Sequence, residues 1–327
     1  MPVTLAQAKL NSQTDIQAGV VDEFRKSSYI LDNITFDDSV SPGTQGKTLT
    51  YGYTRLLTQP TAAFRAINEE YAPQEVQKVP YSVELKPFGG SYEIDRVVAD
   101  TGGLVDEIEL QQSQKIKAAK TLFHDAFING DSAVNAKSFD GLDKAVAGSS
   151  TEFGTGSVID LSSETALNSN QHVLLDFLGE WLSSLSEKPT FLGSNSKLIN
   201  RIKSAARRAG YLTKSEDSFG RSIEAYDGIP LLDLGEKSGS SAPIVPIRSA
   251  TVGGTAYTGL ADLYAAVLSL NGVHGVSLQQ DKSKLVKVWL PDFSTAGAVK
   301  KGEVEIVGAI AIKQTKQAGV ARNFKVQ

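Results

Sequence analysis

The sequence predicts an α+β fold in which an extended, strand-forming segment leads into one long helix. Residues 47–98 show no helical period, and much of this segment alternates apolar with polar side chains, as β-strands do. Residues 103–129 instead carry a helical apolar period, which predicts a helix of about 26 residues and about 39 Å. The rest of the chain mixes further helices and strands.

Length and composition set broad limits on the function. At 327 residues the chain is long enough for two modules, and an apolar content of 41% allows them real cores. The net charge of −4 gives no general case for nucleic-acid binding. The absence of cysteine excludes disulfides, thiolate metal sites and cysteine nucleophiles. The first residues lack the pattern of a signal peptide, and no run reaches the length of a membrane span, so we expect a soluble cytosolic product.

The first segment, residues 1–46, is predicted to be an arm with one short helical piece. Ile16, Val20 and Phe24 recur at a spacing of four residues, with charged side chains around them. That apolar face is too small to fold alone, and turn-forming residues follow it before the next strand begins.

Residues 47–90 are predicted to form a long two-stranded ribbon. Alternating side chains mark strands over residues 48–56 and 79–86, on either side of a polar segment with turn character. Pro80 and Pro87 remove hydrogen-bond donors from strand pairing, which indicates exposed or edge strands. An isolated ribbon is only marginally stable in water, and no partner is evident nearby in the sequence. We therefore expect the ribbon to lie on an adjacent copy of the same chain.

The long helix over residues 103–129 has recognisable ends. Asp100 or Thr101 is the predicted N-cap, and acidic residues in the first turn suit the positive end of the helix dipole. Asn129 and Gly130 predict its C-terminal end. Its apolar stripe, interrupted only by Gln112, consists of Leu104, Ile108, Ile116, Ala119, Phe123 and Phe127.

The Gly- and Ser-rich residues 147–156 predict a boundary, and a mixed region follows. Amphipathic helices are predicted over residues 164–186 and 196–209, the second ended by Gly210. The predicted apolar face of the first is Leu167, Val173, Leu174, Phe177, Leu178, Trp181 and Leu185. Strands are predicted within residues 189–192, 229–235, 242–250, 259–278, 286–293 and 304–314. Asn271-Gly272 predicts a hairpin turn within the fourth of these ranges.

One segment, Ser41–Thr48, suggests nucleotide chemistry. Its sequence, SPGTQGKT, matches the end of a phosphate-binding loop, but Ser41 stands where the first glycine of that motif belongs. Such a loop also runs into a helix, whereas the residues after Thr48 alternate as a strand. A turn is therefore the favoured interpretation, and a nucleotide-dependent enzyme is the alternative.

The other reactive side chains form no catalytic set in the sequence. His124, His172 and His274 are far apart and lack metal-ligand spacing, and no GxSxG motif occurs. The sequence thus predicts no catalytic, cofactor-binding or metal-binding residues, no cofactor and no enzymatic activity. One basic cluster is more typical of a solvated helix face than of a phosphate site. It comprises Lys197, Arg201, Lys203, Arg207, Arg208 and Lys214.

In this order, the elements resemble the major capsid proteins of tailed bacteriophages, which share the Hong Kong 97-type fold. The resemblance rests on PYSVELKPFGGSYEIDRVVAD before the long helix and LFHDAFINGD at its end. It continues through SFDGLDKAV and AYDGIPLLDLG, and it covers nearly the whole chain.

This resemblance implies a division of the chain and a function. The implied parts are an arm over 1–46, an extended loop over 47–90, a peripheral domain over 91–147 and 291–327 with a spine helix over 103–129, and an axial domain over 148–290. Such subunits assemble as hexamers and pentamers into an icosahedral shell around double-stranded DNA, within the virion. An encapsulin-like nanocompartment shell is the alternative.

The resemblance also implies partners. These are further copies of the chain, a separate scaffolding protein, a portal, a decoration protein and packaged double-stranded DNA bound without sequence preference, with no membrane. Assembly is expected in the cytoplasm of a bacterial host. Lys47, Lys78 and Lys86 lie in or near the extended loop, but nothing marks one of them as a crosslinking residue.

Overall fold

The computed structural model describes residues 29–38, 48–56, 60–101, 106–210, 212–216, 222–278 and 285–327. The helices are α1 (Tyr29–Asn33), α2 (Arg96–Asp100), α3 (Glu107–Asn129), α4 (Leu142–Val146), α5 (Glu164–Ser183) and α6 (Ser196–Ala209). The strands are β1 (Phe36–Asp38), β2 (Thr50–Leu56), β3 (Lys78–Glu84), β4 (Lys86–Asp95), β5 (Glu152–Phe153), β6 (Ile159–Asp160), β7 (Phe191–Ser194), β8 (Leu212–Glu216), β9 (Ser222–Tyr226), β10 (Ile229–Asp233), β11 (Arg248–Val252), β12 (Thr255–Ala266), β13 (Val273–Ser277), β14 (Val286–Trp289), β15 (Val299–Ile312) and β16 (Ala318–Lys325). Most of the predicted arm and residues 41–47 of the loop-like SPGTQGKT segment lie outside the described residues.

A five-stranded sheet is built around the long strand β15. Its order is β1-β13-β15-β14, and β4 pairs with the other side of β15 along residues 299–308. Helix α3 packs on one face of this sheet through a cluster of aromatic rings. The ring of Phe123 lies 5.8–6.0 Å from those of Phe36, Phe88 and Phe139. The predicted α+β class and the long helix are therefore confirmed.

The start of the long helix differs from the prediction. Asp106 is its N-cap, and the carboxylate accepts a hydrogen bond from the Ile108 amide at 2.8 Å. Asp100 and Thr101 are not caps of this helix, because they end the short helix α2, whose own N-cap is Asp95. The chain thus uses two capped helices where the sequence predicted one cap.

The end of the long helix is where the sequence predicts it. The Gly130 amide donates to the carbonyl of Ala126 at 2.9 Å. The backbone of Gly130 is not left-handed, with φ at −58°. Glycine is needed there because a Cβ atom would lie 2.3 Å from the Phe139 carbonyl oxygen, closer than real contacts allow. The glycine therefore permits a close approach of two chain segments rather than a turn.

A nine-stranded sheet forms the second layer. Its order is β5-β16-β12-β7-β10-β9-β8, with β11 pairing with β12 and β6 with β16. Helices α5 and α6 pack together beside it through a second buried cluster that includes Leu174, Trp181 and Ile202. Helix α6 has the predicted bounds, with Asn195 as N-cap and Gly210 as C-cap.

One of the residues predicted to form the apolar face of α5, Val173, is not buried. Val173 is 54% exposed, because Leu174, Leu178 and Trp181 define the buried stripe and Val173 lies one residue, about 100°, away from it. Helix α5 also ends at Ser183, three residues before the predicted end.

The structure differs from the predicted strands and turns in three places. Asn271-Gly272 does not close a hairpin, because β12 belongs to the nine-stranded sheet and β13 to the five-stranded sheet. Within residues 242–250 a strand begins only at Arg248. Strand β16, which none of the predicted strands covers, lies in the interior of the nine-stranded sheet.

The glycine-rich residues 252–259 form a tight β11–β12 turn at Gly253-Gly254 and the start of β12.

The grouping of strands into sheets also differs from the division predicted at residue 290. Strands β13 and β14 precede that position but lie in the five-stranded sheet, whereas β16 follows it and lies in the nine-stranded sheet. The two sheets share one buried cluster, which contains Phe123 and Ile310 beside Tyr264 and Val320. The layers are therefore joined by a continuous core.

Candidate intersubunit surface

The predicted ribbon is present and consists of β2 and β3. The strands are antiparallel along residues 50–56 and 78–84, with Tyr53 opposite Tyr81. The rings of these two tyrosines are stacked at a centroid distance of 6.0 Å. The guanidinium of Arg55 lies 4.2 Å from the Tyr81 ring centroid and donates a hydrogen bond to the carbonyl of Ile312 on β15. Aromatic and cationic side chains therefore stiffen the ribbon near the sheet.

The base of the ribbon is docked on its own chain. We define the ribbon base as residues 50–56 and 78–85, which cover the face of the five-stranded sheet opposite α3. Tyr51 and Tyr53 pack on a small buried cluster of Leu85, Val276 and Ala311. The Tyr51 hydroxyl donates to Asp37 on β1 at 2.8 Å, and burial together with this carboxylate raises the pKa of the phenol. The expectation that the ribbon lies on an adjacent copy therefore does not hold for the base, which packs on distant residues of its own chain.

The far end of the ribbon, residues 60–77, is called the ribbon tip. Every residue of the tip is exposed, including the apolar side chains of Phe64, Ile67 and Tyr71. Phe64 is fully exposed and Ile67 is 89% exposed. Clustered apolar side chains of this kind mark an interaction surface.

The tip is closed by contacts of its own. The side chain of Gln74 accepts a hydrogen bond from the Thr61 amide at 2.7 Å and donates to the Thr61 hydroxyl at 2.8 Å. Arg65 lies 5.4 Å from the Tyr71 ring and donates to the carbonyl of Glu69 at 3.2 Å. These contacts shape the tip without burying its apolar side chains.

The basic side chains Arg201, Lys203, Arg207 and Arg208 on α6 have partners within the chain, whereas the side chain of Lys214 lies outside those that the structure describes. Lys203 lies 3.1 Å and Arg207 3.5 Å from the Glu224 carboxylate, and Arg208 lies 3.4 Å from that of Glu164. Arg201 donates to the carbonyl of Ser162 at 2.7 Å. This arrangement favours the interpretation of a solvated structural face over a phosphate site.

A buried ion network was missed by sequence reasoning. The Arg322 guanidinium on β16 lies 2.7 Å from Glu152 and 3.2 Å from Asp262, and Arg248 lies 2.9 Å from Asp262. Glu152 and Asp262 lie 170 and 60 positions from Arg322 along the chain, so no local motif could have revealed these contacts. The network joins β5, β11, β12 and β16 by ion pairs. This arrangement favours a structural role within the sheet over a catalytic one.

The three histidines are not brought together. His172 is exposed on α5, His124 is buried in α3, and His274 is buried in β13 under the ribbon base. Among the described residues, no group of three or more His, Asp or Glu side chains is placed to hold a metal ion. No described helix is long and apolar enough to cross a membrane.

Comparison with known proteins identifies the architecture. The chain resembles the SrpI encapsulin of Synechococcus elongatus over 100% of its length and 98% of the encapsulin, with a TM-score of 0.66 and 15% identity. It resembles a chain of the Mycobacterium phage Cain structure over 100% of both chains, with a TM-score of 0.59 and 13% identity. For the capsid of a native GTA particle the TM-score is 0.59 at 12% identity, over 95% of this chain and 96% of that one.

No family model and no curated protein matches the sequence. At this level of identity the structural likeness defines the fold. The two sheets, the long helix α3 and the projecting ribbon together constitute the Hong Kong 97-type fold of phage capsid and encapsulin shell proteins.

Proposed function

We propose that this chain is a structural subunit of an icosahedral phage capsid, assembling as hexamers and pentamers around double-stranded DNA. The observation that carries the proposal is the ribbon tip, whose apolar side chains are exposed and belong to none of the buried clusters of the described residues. The fold is shared with shell proteins along the full chain length, which supports the same conclusion. The role is structural and not enzymatic.

The physical reason lies in how identical subunits close a shell. A head-to-tail contact joins one surface patch to a different patch on the next copy, and a ring closes when the rotation per copy allows it. A tip that projects from its own body and carries Phe64, Ile67 and Tyr71 suits such a contact.

The remaining parts of the proposal follow from the resemblance. We assign the five-stranded sheet with α3 to a peripheral domain and most of the nine-stranded sheet to an axial domain. A separate scaffolding protein, a portal and a decoration protein are the proposed partners, besides further copies of the chain and packaged DNA. The proposed location is the virion, with assembly in the host cytoplasm.

A nanocompartment shell that encloses a cargo protein is the second candidate. The observation in its favour is the TM-score of 0.66 with the encapsulin, against 0.59 with the phage and GTA capsids quoted above. The two candidates share the contact made by the ribbon tip, so the particle contents distinguish them.

The test is electron microscopy of particles formed by the full chain, expressed with its neighbouring genes. A variant that replaces Phe64, Ile67 and Tyr71 by Ser is expected to fold but to form no closed shells. A matched control replaces the exposed residues Val134 and Val173 by Ser and is expected to form shells as the wild type does. Shells formed by the tip variant, or no particles from the wild type, would contradict the proposal. DNA inside supports the capsid, and a co-encoded enzyme inside supports the nanocompartment.

A further inference from the structure

His274 lies at the centre of the contact between the ribbon base and the five-stranded sheet. It is on β13, opposite Ala311 of β15, and its side chain is fully buried. The ring of Tyr51 from β2 lies edge-on to the imidazole at a centroid distance of 5.7 Å. The docked ribbon therefore shields this imidazole from water.

The buried imidazole has no hydrogen bond of good geometry. Both ring nitrogens of His274 are inaccessible to solvent and unpaired by distance and angle among the described residues, and only the Gly272 backbone lies near enough to favour the protonated ring. The neighbouring carbonyl of Gly272 already accepts a hydrogen bond from the Lys313 amide at 3.0 Å. A protonated imidazole has two N–H donors and a positive charge, so burying it without acceptors costs far more than burying the neutral ring.

The charged and titratable groups around His274 come from three elements. They are Asp37 on β1, Tyr51 on β2 and Lys313 at the end of β15. The Asp37 carboxylate favours protonation of the imidazole, but it already accepts the hydrogen bond of the Tyr51 hydroxyl. Burial first, and then the Lys313 ammonium, lower the pKa of His274 to about 4.

We propose that the ribbon base is a proton-sensitive latch, in which neutral His274 favours docking of the ribbon and its protonation favours departure of Tyr51 and the ribbon from the sheet. Acidification shifts the equilibrium toward the released ribbon, and a neutral medium shifts it toward the docked ribbon. The latch is a property of the single chain and does not depend on shell formation.

The direction and size of the effect follow from proton linkage. In the released form His274 is solvated and regains its ordinary pKa of about 6.5, so this form takes up a proton as the pH falls below 6.5. The docked form takes up that proton only near pH 4. The docking equilibrium is therefore expected to fall about 30-fold between about pH 8 and about pH 5.

Hydrogen exchange of backbone amides tests the latch on the full chain. Exchange is measured at about pH 8 and about pH 5, divided by the intrinsic chemical rate at each pH, and compared between ribbon-base and α6 amides. For amides that exchange by local opening and not by global unfolding, we expect the ribbon base to open about 30-fold more at the lower pH, with a much smaller change in α6. An equal change in both regions, or none in the ribbon base, would overturn the latch.

Two variants assign the response to this histidine. His274→Leu removes the titrating group, so its ribbon base is expected to stay docked at both pH values. His172→Gln changes an exposed histidine on α5 and is expected to keep the wild-type response. If the leucine variant does not fold, His274→Gln takes its place. A pH response of the ribbon base that persists without His274 would overturn the assignment.

Discussion

At the scale of single residues, the packing of α3 depends most on Phe123. It is 2% exposed and contacts four aromatic rings, so Phe123→Ala is expected to lower the free energy of unfolding by about 3–5 kcal/mol. Denaturant unfolding of the unassembled subunit measures the change. Leu122→Ala, at a neighbouring position that is 42% exposed, is the control and is expected to cost about 1 kcal/mol or less. Equal losses of unfolding free energy in the two variants would contradict the assignment of the Phe123 face of α3 to the core.

The corrected N-cap of α3 gives a second residue-scale prediction. Asp106→Ala is expected to cost about 1 kcal/mol of stability, because it leaves the Ile108 and Glu109 amides without their acceptor. Asp100→Ala, at the position first predicted as the cap, is expected to change stability by less than about 0.5 kcal/mol. The same denaturant measurement compares them, and the opposite order would restore the original prediction.

At the scale of elements, periodicity predicts what a segment forms, but not which sheet it joins. The ribbon strands β2 and β3 were predicted from alternation alone, and their pairing is confirmed. The docking of the ribbon base was not predictable, because Val276 and Ala311 lie more than 190 residues further along the chain. The Asn271-Gly272 turn failed for a related reason, since a turn signal does not specify that both flanking strands share a sheet. The tip did leave a signal in the sequence. The apolar residues Phe64, Ile67 and Tyr71 lie within a segment predicted as a polar turn, where no core was expected to bury them.

The division of the ribbon into base and tip predicts two different deletion phenotypes. Replacing residues 60–77 by a short Gly-Ser linker removes only exposed side chains, so the thermal unfolding temperature is expected to stay near the wild-type value. Deleting residues 49–85 also removes Tyr51, Tyr53 and Leu85 and uncovers Val276, so it is expected to lower that temperature markedly. Differential scanning calorimetry compares the two deletions. A destabilised tip deletion, or an unaffected long deletion, would contradict this division.

At the scale of the whole molecule, the two sheets act as one folded unit. They share a buried cluster, and the chain passes from one sheet to the other between β12 and β13 and again between β15 and β16. The domain boundary predicted at residue 290 could not anticipate this exchange, because it depends on pairing between strands that are distant in sequence. The overall class and the order of the main elements were nevertheless predictable from periodicity and caps.

Acid is expected to destabilise the whole molecule through the buried histidine in α3. Burial, together with Lys120, lowers the pKa of His124 to about 4, whereas the unfolded chain has the ordinary value of about 6.5. The unfolded state therefore binds the proton first, and the free energy of unfolding is expected to fall by about 2 kcal/mol from about pH 8 to about pH 5 on account of this group. In urea unfolding, the His124→Gln variant is expected to lose about 2 kcal/mol less unfolding free energy than the wild type between about pH 8 and about pH 5.

A separate acid effect lies at lower pH. The hydrogen bond from Lys144 holds the pKa of Asp131 below its ordinary value of 3.8, so its contribution to stability is complete above that value and is lost as the pH falls below it. The histidine and carboxylate effects thus occupy different pH ranges.

The assignment of the first effect to His124 has a clear contradicting outcome. This outcome is a His124→Gln variant whose unfolding free energy depends on pH between about pH 8 and about pH 5 as strongly as that of the wild type.

The interior position of β16 has a consequence for synthesis of the chain on the ribosome. Among the described strands, β16 is the antiparallel neighbour of β12 and the parallel partner of both β5 and β6. The residues between β12 and β16 must therefore be translated before these pairs can form, so the nascent chain keeps the β16-facing edge of β12 unpaired until β16 emerges from the ribosome.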